Sequence, residues 1–289
     1  FRRVLFRSQV ATNFSFLRGA SHPEELVQQA QALGHAAIAI TDRNTLAGVV
    51  RAHVAAKAAS LRLVIGARLD LSEGLGVLCY PTDRPAYGRL ARLLSLGQLR
   101  SEKGGCALSL PDLLAHGDGL IVAAIAPEAP APVFADHLRA LRQRFGADLH
   151  LAVQHLYRGD DRRRLRHFAA LAREARARLL ATNDVHAHAA ERRPLQDVLT
   201  CVREGCTLDA AGYRLFANAE RHLKSPAEMA RLFRDHPDAL EASLDIAARC
   251  RFSLDELRYE YPVDPVPDGR RRLLRGARLQ CRRCRPPGP

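Results

Sequence analysis

The feature that most constrains the fold is an alternation of strand and helix patterns that runs from about residue 9 to residue 205. Short apolar runs, such as residues 36–41, alternate with segments whose apolar residues recur at helical spacing, such as residues 24–33. Parallel strands joined by helices produce this rhythm. We therefore predict an α/β fold, namely a distorted parallel (β/α) barrel followed by a small helical segment.

The predicted elements follow the apolar periodicity and the residues that start and end helices. A capping-box sequence at residues 21–24 starts the first helix, with Ser21 expected to cap it and Glu24 to reach back, and Gly34 ends it. A second start signal at residues 225–228 combines a serine cap, a proline and a glutamate. Further strands are predicted near residues 62–71, 75–80, 119–125, 148–153 and 178–182, and further helices near residues 46–57, 83–97, 132–145, 160–176, 191–204, 226–234 and 237–249.

The net charge of +13 is concentrated at the two ends of the chain. Residues 1–8 contain three arginines and residues 269–289 contain eight, with no acid in either stretch, so the rest of the chain carries only +2. A strongly basic surface indicates nucleic-acid binding, but the composition of this nearly neutral body does not. No apolar stretch approaches the roughly 20 residues of a membrane-spanning helix. We predict a cytoplasmic protein with no membrane partner.

The two ends of the chain do not share the pattern of alternating strands and helices seen in the rest of it. Residues 1–8 precede the first recognisable element, and residues 269–289 consist mainly of Arg, Pro and Gly without helical or strand periodicity. We expect residues 1–8 to be a non-native end and residues 269–289 to be a basic tail that is disordered or mistranslated. The predicted barrel spans residues 9–205, and a helical extension spans residues 206–268.

Polar side chains follow three predicted strands, at residues 41–44, 66–68 and 182–188. The carboxyl ends of parallel strands meet at one face of an α/β fold, where functional groups collect. Asp184 and His186 stand two residues apart, a spacing that suits a pair of metal ligands or an acid/base pair. The alternative is that Asp184 caps the helix that starts near residue 191 and that His186 is an ordinary loop residue.

Several longer strings resemble the polymerase and histidinol phosphatase (PHP) domain found at the N-terminus of bacterial C-family DNA polymerases. Within that family the likeness is greatest to the error-prone polymerases of the damage response. The strings that carry the resemblance are residues 12–23 (TNFSFLRGASHP), 39–48 (AITDRNTLAG), 181–186 (ATNDVH), 194–199 (PLQDVL) and 251–262 (RFSLDELRYEYP). The resemblance spans roughly residues 9–268.

The resemblance implies where a metal site would lie. Metal-loaded PHP domains hold divalent metals with a His-x-His at the first strand, an Asp-His at the second, a glutamate at the third and a late Asp-x-His. This chain has Gln9 and Ala11 at the first position and Arg68 at the third. At the second position Asp42 is followed by Arg43, and only Asp184 and His186 match the late pair.

Guanidinium groups do not deprotonate and repel a dication at short range. We therefore expect a degenerate pocket without metal, and no cofactor bound by this fragment. Arg43 and Arg68 are expected to replace the missing metals electrostatically by pairing with Asp42 and Asp184, because an uncompensated buried carboxylate is costly.

The resemblance implies that this chain is the N-terminal PHP portion of an error-prone, translesion DNA-directed DNA polymerase. We expect no catalytic residue in the fragment, which would act as a structural domain, with residues 206–268 leading toward the polymerase core. Residues 9–268 contain no Asp-x-Asp, so the palm aspartates and their Mg²⁺ ions are expected elsewhere in the parent enzyme.

Two alternatives stay open. One is a metal-dependent PHP phosphoesterase or 3′–5′ exonuclease, and the other is an interaction module without an enzymatic parent. For the polymerase, the expected partners are DNA, deoxynucleoside triphosphates and the rest of the polymerase chain, with damage-response accessory proteins as a further candidate class.

Overall fold

A computed structural model describes residues 6–128 and 132–257, and the structural statements that follow concern these residues. They contain seven strands that pair in the order of the chain. The strands are β1 (Phe6–Arg7), β2 (Ala37–Arg43), β3 (Arg62–Asp70), β4 (Gly76–Pro81), β5 (Leu120–Ile125), β6 (Leu149–Gln154) and β7 (Arg178–Thr182).

Ten α-helices connect or follow these strands in the described part of the chain. They are α1 (Pro23–Ala32), α2 (Val49–Ala58), α3 (Arg84–Leu99), α4 (Leu110–Ala115), α5 (Pro132–Phe145), α6 (Asp161–Glu174), α7 (Arg193–Glu204), α8 (Leu208–Ala211), α9 (Pro226–Leu232) and α10 (Pro237–Arg249).

The sheet is mostly parallel and almost closes into a barrel. Strand β4 is antiparallel to both of its neighbours, and every other neighbouring pair is parallel. The ends of the sheet meet just beyond β1 and β7, where Val10 and Val185 form a parallel bridge. The predicted distorted (β/α) barrel is confirmed, and the reversal of β4 is the distortion.

Apolar side chains cover the sheet on both faces. The largest cluster joins strand residues such as Val122 and Leu151 to helices α3, α5 and α6. Strand residues of the opposite parity, such as Leu78 and Ile121, form a second cluster that includes Ile246 of α10. Helix α10 therefore packs against the sheet, and the described residues up to Glu256 form one compact unit. The predicted division at residue 205 stays a prediction.

The structure differs from the sequence-based expectation at the start of the chain. Phe6 and Arg7 form β1, which pairs with β2, so the barrel extends to residues that precede its predicted start at residue 9. That residues 1–8 are a non-native end stays a prediction. The Arg7 side chain is buried and donates to the carbonyl oxygen of Lys224 (2.6 Å). Burial lowers the pKa of Arg7 to about 9.

Helix α1 is capped differently from the prediction, although α9 is capped as predicted by Ser225. The hydroxyl of Ser21 accepts from the backbone N–H of His188 (3.0 Å), and Glu25, not Glu24, accepts from the backbone N–H of His22 (2.8 Å).

The short helices α4 and α8 were not predicted. The end of the helical extension predicted over residues 206–268, from residue 258 onward, and the whole predicted tail lie outside the described residues. Among the described residues, no helix has the length and apolar character needed to cross a bilayer.

Replacing Phe168 by Ala should destabilise the chain by about 3–5 kcal/mol, because it removes a core aromatic ring that is 1% exposed between α6 and the sheet. Urea denaturation followed by circular dichroism measures the free energy of unfolding. As a control, Phe16→Ala removes a ring that is 81% exposed and should cost less than about 0.5 kcal/mol. Equal losses in the two variants would contradict the position of α6.

Candidate functional site

The carboxyl ends of four strands bring the predicted site residues together. Gln9 and Ala11 follow β1, Arg43 ends β2, Arg68 lies in β3, and Asp184 and His186 follow β7. These six residues line one small cleft, together with Ser15, Arg18 and Thr41. The free space among them is ≈ 20 Å³, about enough for a single water molecule. Asp42 does not line the cleft.

Asp184 lies at the centre of this cleft and is 8% exposed. Its Oδ1 accepts a hydrogen bond from Nε2 of Gln9 (2.7 Å) and lies 3.5 Å from a guanidinium nitrogen of Arg68. Nε2 of His186 lies 3.4 Å from the same oxygen. The other carboxylate oxygen, Oδ2, pairs with the buried guanidinium of Arg221. One carboxylate thus has two guanidiniums, an imidazole and an amide around it.

The surroundings keep Asp184 ionised. Burial alone would raise its pKa, but the charges of Arg221, His186 and Arg68 hold the pKa well below the usual range of an aspartate. The backbone at Asp184 adopts a left-handed conformation (φ 43°), which residues other than glycine seldom adopt. The expected pairing of Arg68 with Asp184 is present, and Arg221 is a second partner that the sequence did not reveal.

Asp42 is satisfied in another way, by the loop that follows β1. Its carboxylate accepts hydrogen bonds from the backbone N–H of Thr12 (2.7 Å), the hydroxyl of Thr12 (2.9 Å) and the hydroxyl of Ser15 (2.7 Å). Burial is the largest influence on its pKa and raises it, although these hydrogen bonds oppose the shift. Gly48 packs against the same carboxylate, where a Cβ atom would lie 2.3 Å from Oδ2. Asp42 thus ties the loop to β2.

The expected pairing of Arg43 with Asp42 is wrong. Consecutive side chains of a strand point to opposite faces of the sheet, so Asp42 and Arg43 cannot meet. Arg43 instead forms an ion pair with Asp70, at the end of β3. Arg68 shares Asp70, with its Nε 3.0 Å from Oδ1. Asp70 therefore holds the two arginines side by side at the rim of the barrel.

Sequence reasoning missed Asp70 and Arg221. Asp70 had a usable signal, because it lies two residues after Arg68 in the same strand and so faces the same side. Arg221 had none. It lies in a stretch without periodicity, and the fold brings it to Asp184 through a parallel bridge between Ala187 and His222. The side chain of Asn183 supports this arrangement by donating to the carbonyl oxygen of His222 (2.7 Å).

The residues present do not fit a cluster of divalent metals. Metal ions need several anionic or neutral donors around an open space. Here one carboxylate and one imidazole are accompanied by the permanent charges of Arg68 and Arg221, which occupy the positions next to Asp184. Among the residues that the structure describes, no group of three or more His, Cys, Asp or Glu side chains is arranged to hold a metal ion.

Comparisons with known proteins agree with this architecture. Residues 8–177 match the family model described as PHP domain. An error-prone DNA polymerase of Caulobacter vibrioides is 51% identical over 263 residues, which are 91% of this chain and 24% of that protein. An error-prone DNA polymerase of Rhodopseudomonas palustris is 52% identical over 267 residues, or 90% of this chain and 24% of that protein. The chain thus spans about a quarter of the length of these curated relatives.

A solved structure shows the same fold at low sequence identity. An amidohydrolase from Chromobacterium violaceum, with bound sulfate and no metal, superposes with a TM-score of 0.50 at 16% identity. The match covers 63% of this chain and 88% of that one. At this identity the likeness concerns the fold alone.

Replacing Asp184 by Asn should destabilise the chain by about 3–5 kcal/mol at pH 7, because Arg68 and Arg221 lose their buried counter-charge. The pKa of Asp184 is lower in the folded than in the unfolded chain. Its contribution is therefore complete above the unfolded pKa of about 4 and is lost as the pH falls from there toward the folded pKa. The difference between wild type and variant should shrink between pH 5 and pH 3 in urea denaturation.

A matched control is Asp245→Asn, which removes a half-exposed carboxylate that pairs with Arg178. This variant should lose less than about 1 kcal/mol at pH 7. A difference between wild type and Asp184→Asn that stays constant from pH 7 to pH 3 would contradict the assignment of a buried, ionised Asp184.

Proposed function

Because the chain belongs to the PHP domain family, we propose that it is the PHP portion of an error-prone, translesion DNA polymerase and serves there as a non-catalytic structural domain. The observation that carries the proposal is the environment of Asp184, where Arg68 and Arg221 supply the positive charge that metal ions would otherwise supply. Hydrolysis by a metal cluster needs ligands that Gln9, Ala11, Arg43 and Arg68 do not provide.

A structural role fits the way these charges are bonded. Asp184 connects β3, through Arg68, to the residues before α9, through Arg221. Asp42 connects β2 to the loop that follows β1. Each of the two carboxylates thus holds separate segments of the chain together, which is the structural role that we propose for this domain.

The chemistry of nucleotide addition would then reside in the rest of the polymerase. That part would supply the palm aspartates and Mg²⁺ and would bind DNA and deoxynucleoside triphosphates. The proposal places the whole enzyme in the cytoplasm and in the repair of damaged DNA, where accessory proteins of the damage response would be further partners.

Metal binding tests the degenerate site. After dialysis against Mn²⁺ and gel filtration, the 289-residue chain should retain well under one Mn²⁺ per chain, measured by mass spectrometry of the metal. It should also release no nucleotide from the 3′ end of labelled single-stranded DNA. Oxygen and imidazole donors suit Mn²⁺, so the assay reports on this kind of site.

The matched control restores the ligands that the family pattern calls for. A variant that combines Gln9→His, Ala11→His, Arg43→His and Arg68→Glu should retain more Mn²⁺ than the wild type, provided that its circular dichroism spectrum is native. Stoichiometric Mn²⁺ in the wild type, or release of nucleotides that depends on Asp184, would instead support a metal-dependent phosphoesterase or exonuclease.

A polymerase that contains this chain tests the structural role. Its Asp184→Asn variant should extend a primer at nearly the wild-type rate at 25 °C but lose activity at a lower temperature on heating, because the substitution weakens the domain and not the reaction. A variant that is inactive at 25 °C with unchanged thermal stability would contradict the proposal. So would a longer reading frame without clustered palm aspartates.

A further inference from the structure

In front of the Asp184 cleft, the mouth of the barrel opens into a cavity of ≈ 680 Å³. This volume lies within the range of about 300–1,000 Å³ that is typical of small-molecule sites. The cavity is lined by four cationic side chains, Arg18, Arg43, Lys103 and Arg203, and by the carboxylate of Glu102. Arg18 and Arg43 also line the Asp184 cleft, so the two spaces adjoin.

Arg18 has no counter-ion of its own. Its half-buried side chain forms no hydrogen bond or salt bridge within the described part of the chain. Burial, together with the nearby charges of Arg43 and Arg203, lowers its pKa to about 10, even though Asp70 opposes the shift. The guanidinium thus stays protonated at neutral pH but lies in a region of excess positive charge.

Apart from Glu102, the carboxylates near the mouth are already engaged. Asp70 is shared by Arg43 and Arg68, and Asp184 pairs with Arg221 and Arg68. The Glu204 carboxylate lies 3.0 Å from Nε of Arg203. A cluster of guanidiniums with too few acids attracts an anion strongly when it is partly shielded from water.

The backbone holds Arg18 in place without using its side chain. The carbonyl oxygen of Arg18 accepts hydrogen bonds from Nε2 of Gln196 (2.7 Å) and from Nδ1 of His186 (3.2 Å). The neighbouring carbonyl of Leu17 accepts from Arg203 (2.9 Å), and Leu17 has a left-handed backbone (φ 56°). The free guanidinium is therefore presented by a fixed loop, which lowers the entropic cost of binding a ligand.

We propose that this cavity binds a nucleotide unit, with its phosphate on Arg18, Arg43 and Arg203 and its base against Phe16. Arginine binds phosphate oxygens through charge-assisted, often bidentate hydrogen bonds. Phe16 lines the same cavity and is 81% exposed, so its ring offers a face for a base to stack on. The unit belongs to a free nucleotide or to an unpaired DNA strand, which share this chemistry.

The site stands on the geometry of the mouth and does not depend on the polymerase assignment. It also differs from a metal-held phosphate site, because each contact that we assign comes from a side chain of this chain. Replacing Arg18 tests the site, for two reasons. Its guanidinium has no counter-ion, and its side chain forms no hydrogen bond to another described residue that the replacement would break.

Binding measurements use the 289-residue chain with three probes: fluorescein-labelled oligothymidylate of twelve nucleotides, thymidine monophosphate and inorganic phosphate. Arg18→Gln should weaken binding of the oligonucleotide about tenfold at 100 mM NaCl, since a lost hydrogen bond to a charged group is worth about that factor. The matched control is Arg139→Gln, which removes a charge that is 71% exposed on α5 and should change the affinity less than twofold.

The control separates the cavity from general attraction to the basic ends of the chain. Equal losses in Arg18→Gln and Arg139→Gln would overturn the proposal, because binding would then follow net charge alone. Phe16→Ala should weaken the oligonucleotide or thymidine monophosphate but leave inorganic phosphate unchanged. No effect of Phe16→Ala on any probe would overturn the stacking of the base.

The probes also identify the source of the unit. Tight binding of the oligonucleotide with weak binding of thymidine monophosphate supports an unpaired strand, and the reverse supports a free nucleotide. Failure of both to bind would overturn the proposal.

Thermal unfolding provides a second, independent measurement. Without ligand, Arg18→Gln should melt at the wild-type temperature or above it, because it removes a cation from a crowded cluster. Saturating thymidine monophosphate should raise the melting temperature of the wild type more than that of the variant. A variant that melts several degrees lower without ligand would show that Arg18 is needed for the fold and would overturn the proposal.

Discussion

A buried carboxylate must be matched by positive charge, and in this barrel that requirement falls on Asp184. Burial of an unpaired aspartate is costly enough that the group would be protonated or the fold would rearrange. Arg68 from β3 and Arg221 from the stretch before α9 meet the requirement together. Arg68 lies in the sheet, whereas Arg221 follows the sheet in the chain. The interaction with Asp184 therefore also fixes the stretch before α9 against the mouth of the barrel.

The surplus of arginine over acid at this mouth sets the character of the site. Asp70 serves two guanidiniums, and Arg18 is left without a counter-ion. A mouth of this kind repels metal ions and attracts anions. Residues 9–268 carry a net charge of only +2, so the excess of positive charge at the mouth is local, and the ligands of this mouth should be anionic groups.

Much of the fold was readable from the sequence, because apolar periodicity and helix caps mark element ends locally. Strands β2, β3 and β5–β7 lie within a few residues of the predicted ranges. Strand β4 also lies within a residue of its predicted range, and only its antiparallel direction was not predicted. That direction was accessible in principle, since only five residues separate β4 from β3, too few for the crossover that a parallel pair needs. Strand β1 was missed because two residues carry no periodicity.

The site was readable only in part. The resemblance gave Gln9, Arg68 and Asp184, whose positions follow from the strand ends. The pairing of Arg43 depends on strand parity, which excludes Asp42 and favours Asp70. Arg221 lies 37 residues after its partner, and no local pattern predicts that contact. Electrostatic partners of this kind are set by the tertiary fold, so the sequence shows the unbalanced charge but not the group that balances it.

A double-mutant cycle between Asp184 and Arg221 tests the central claim most directly. The free energies of unfolding of Asp184→Asn, Arg221→Met and the double variant would be measured at pH 7 in urea. If the guanidinium compensates the carboxylate, the double variant should be more stable than the sum of the single losses predicts, with a coupling of about 2 kcal/mol or more. Losses that add within about 0.5 kcal/mol would show that the two charges do not depend on each other and would contradict the account.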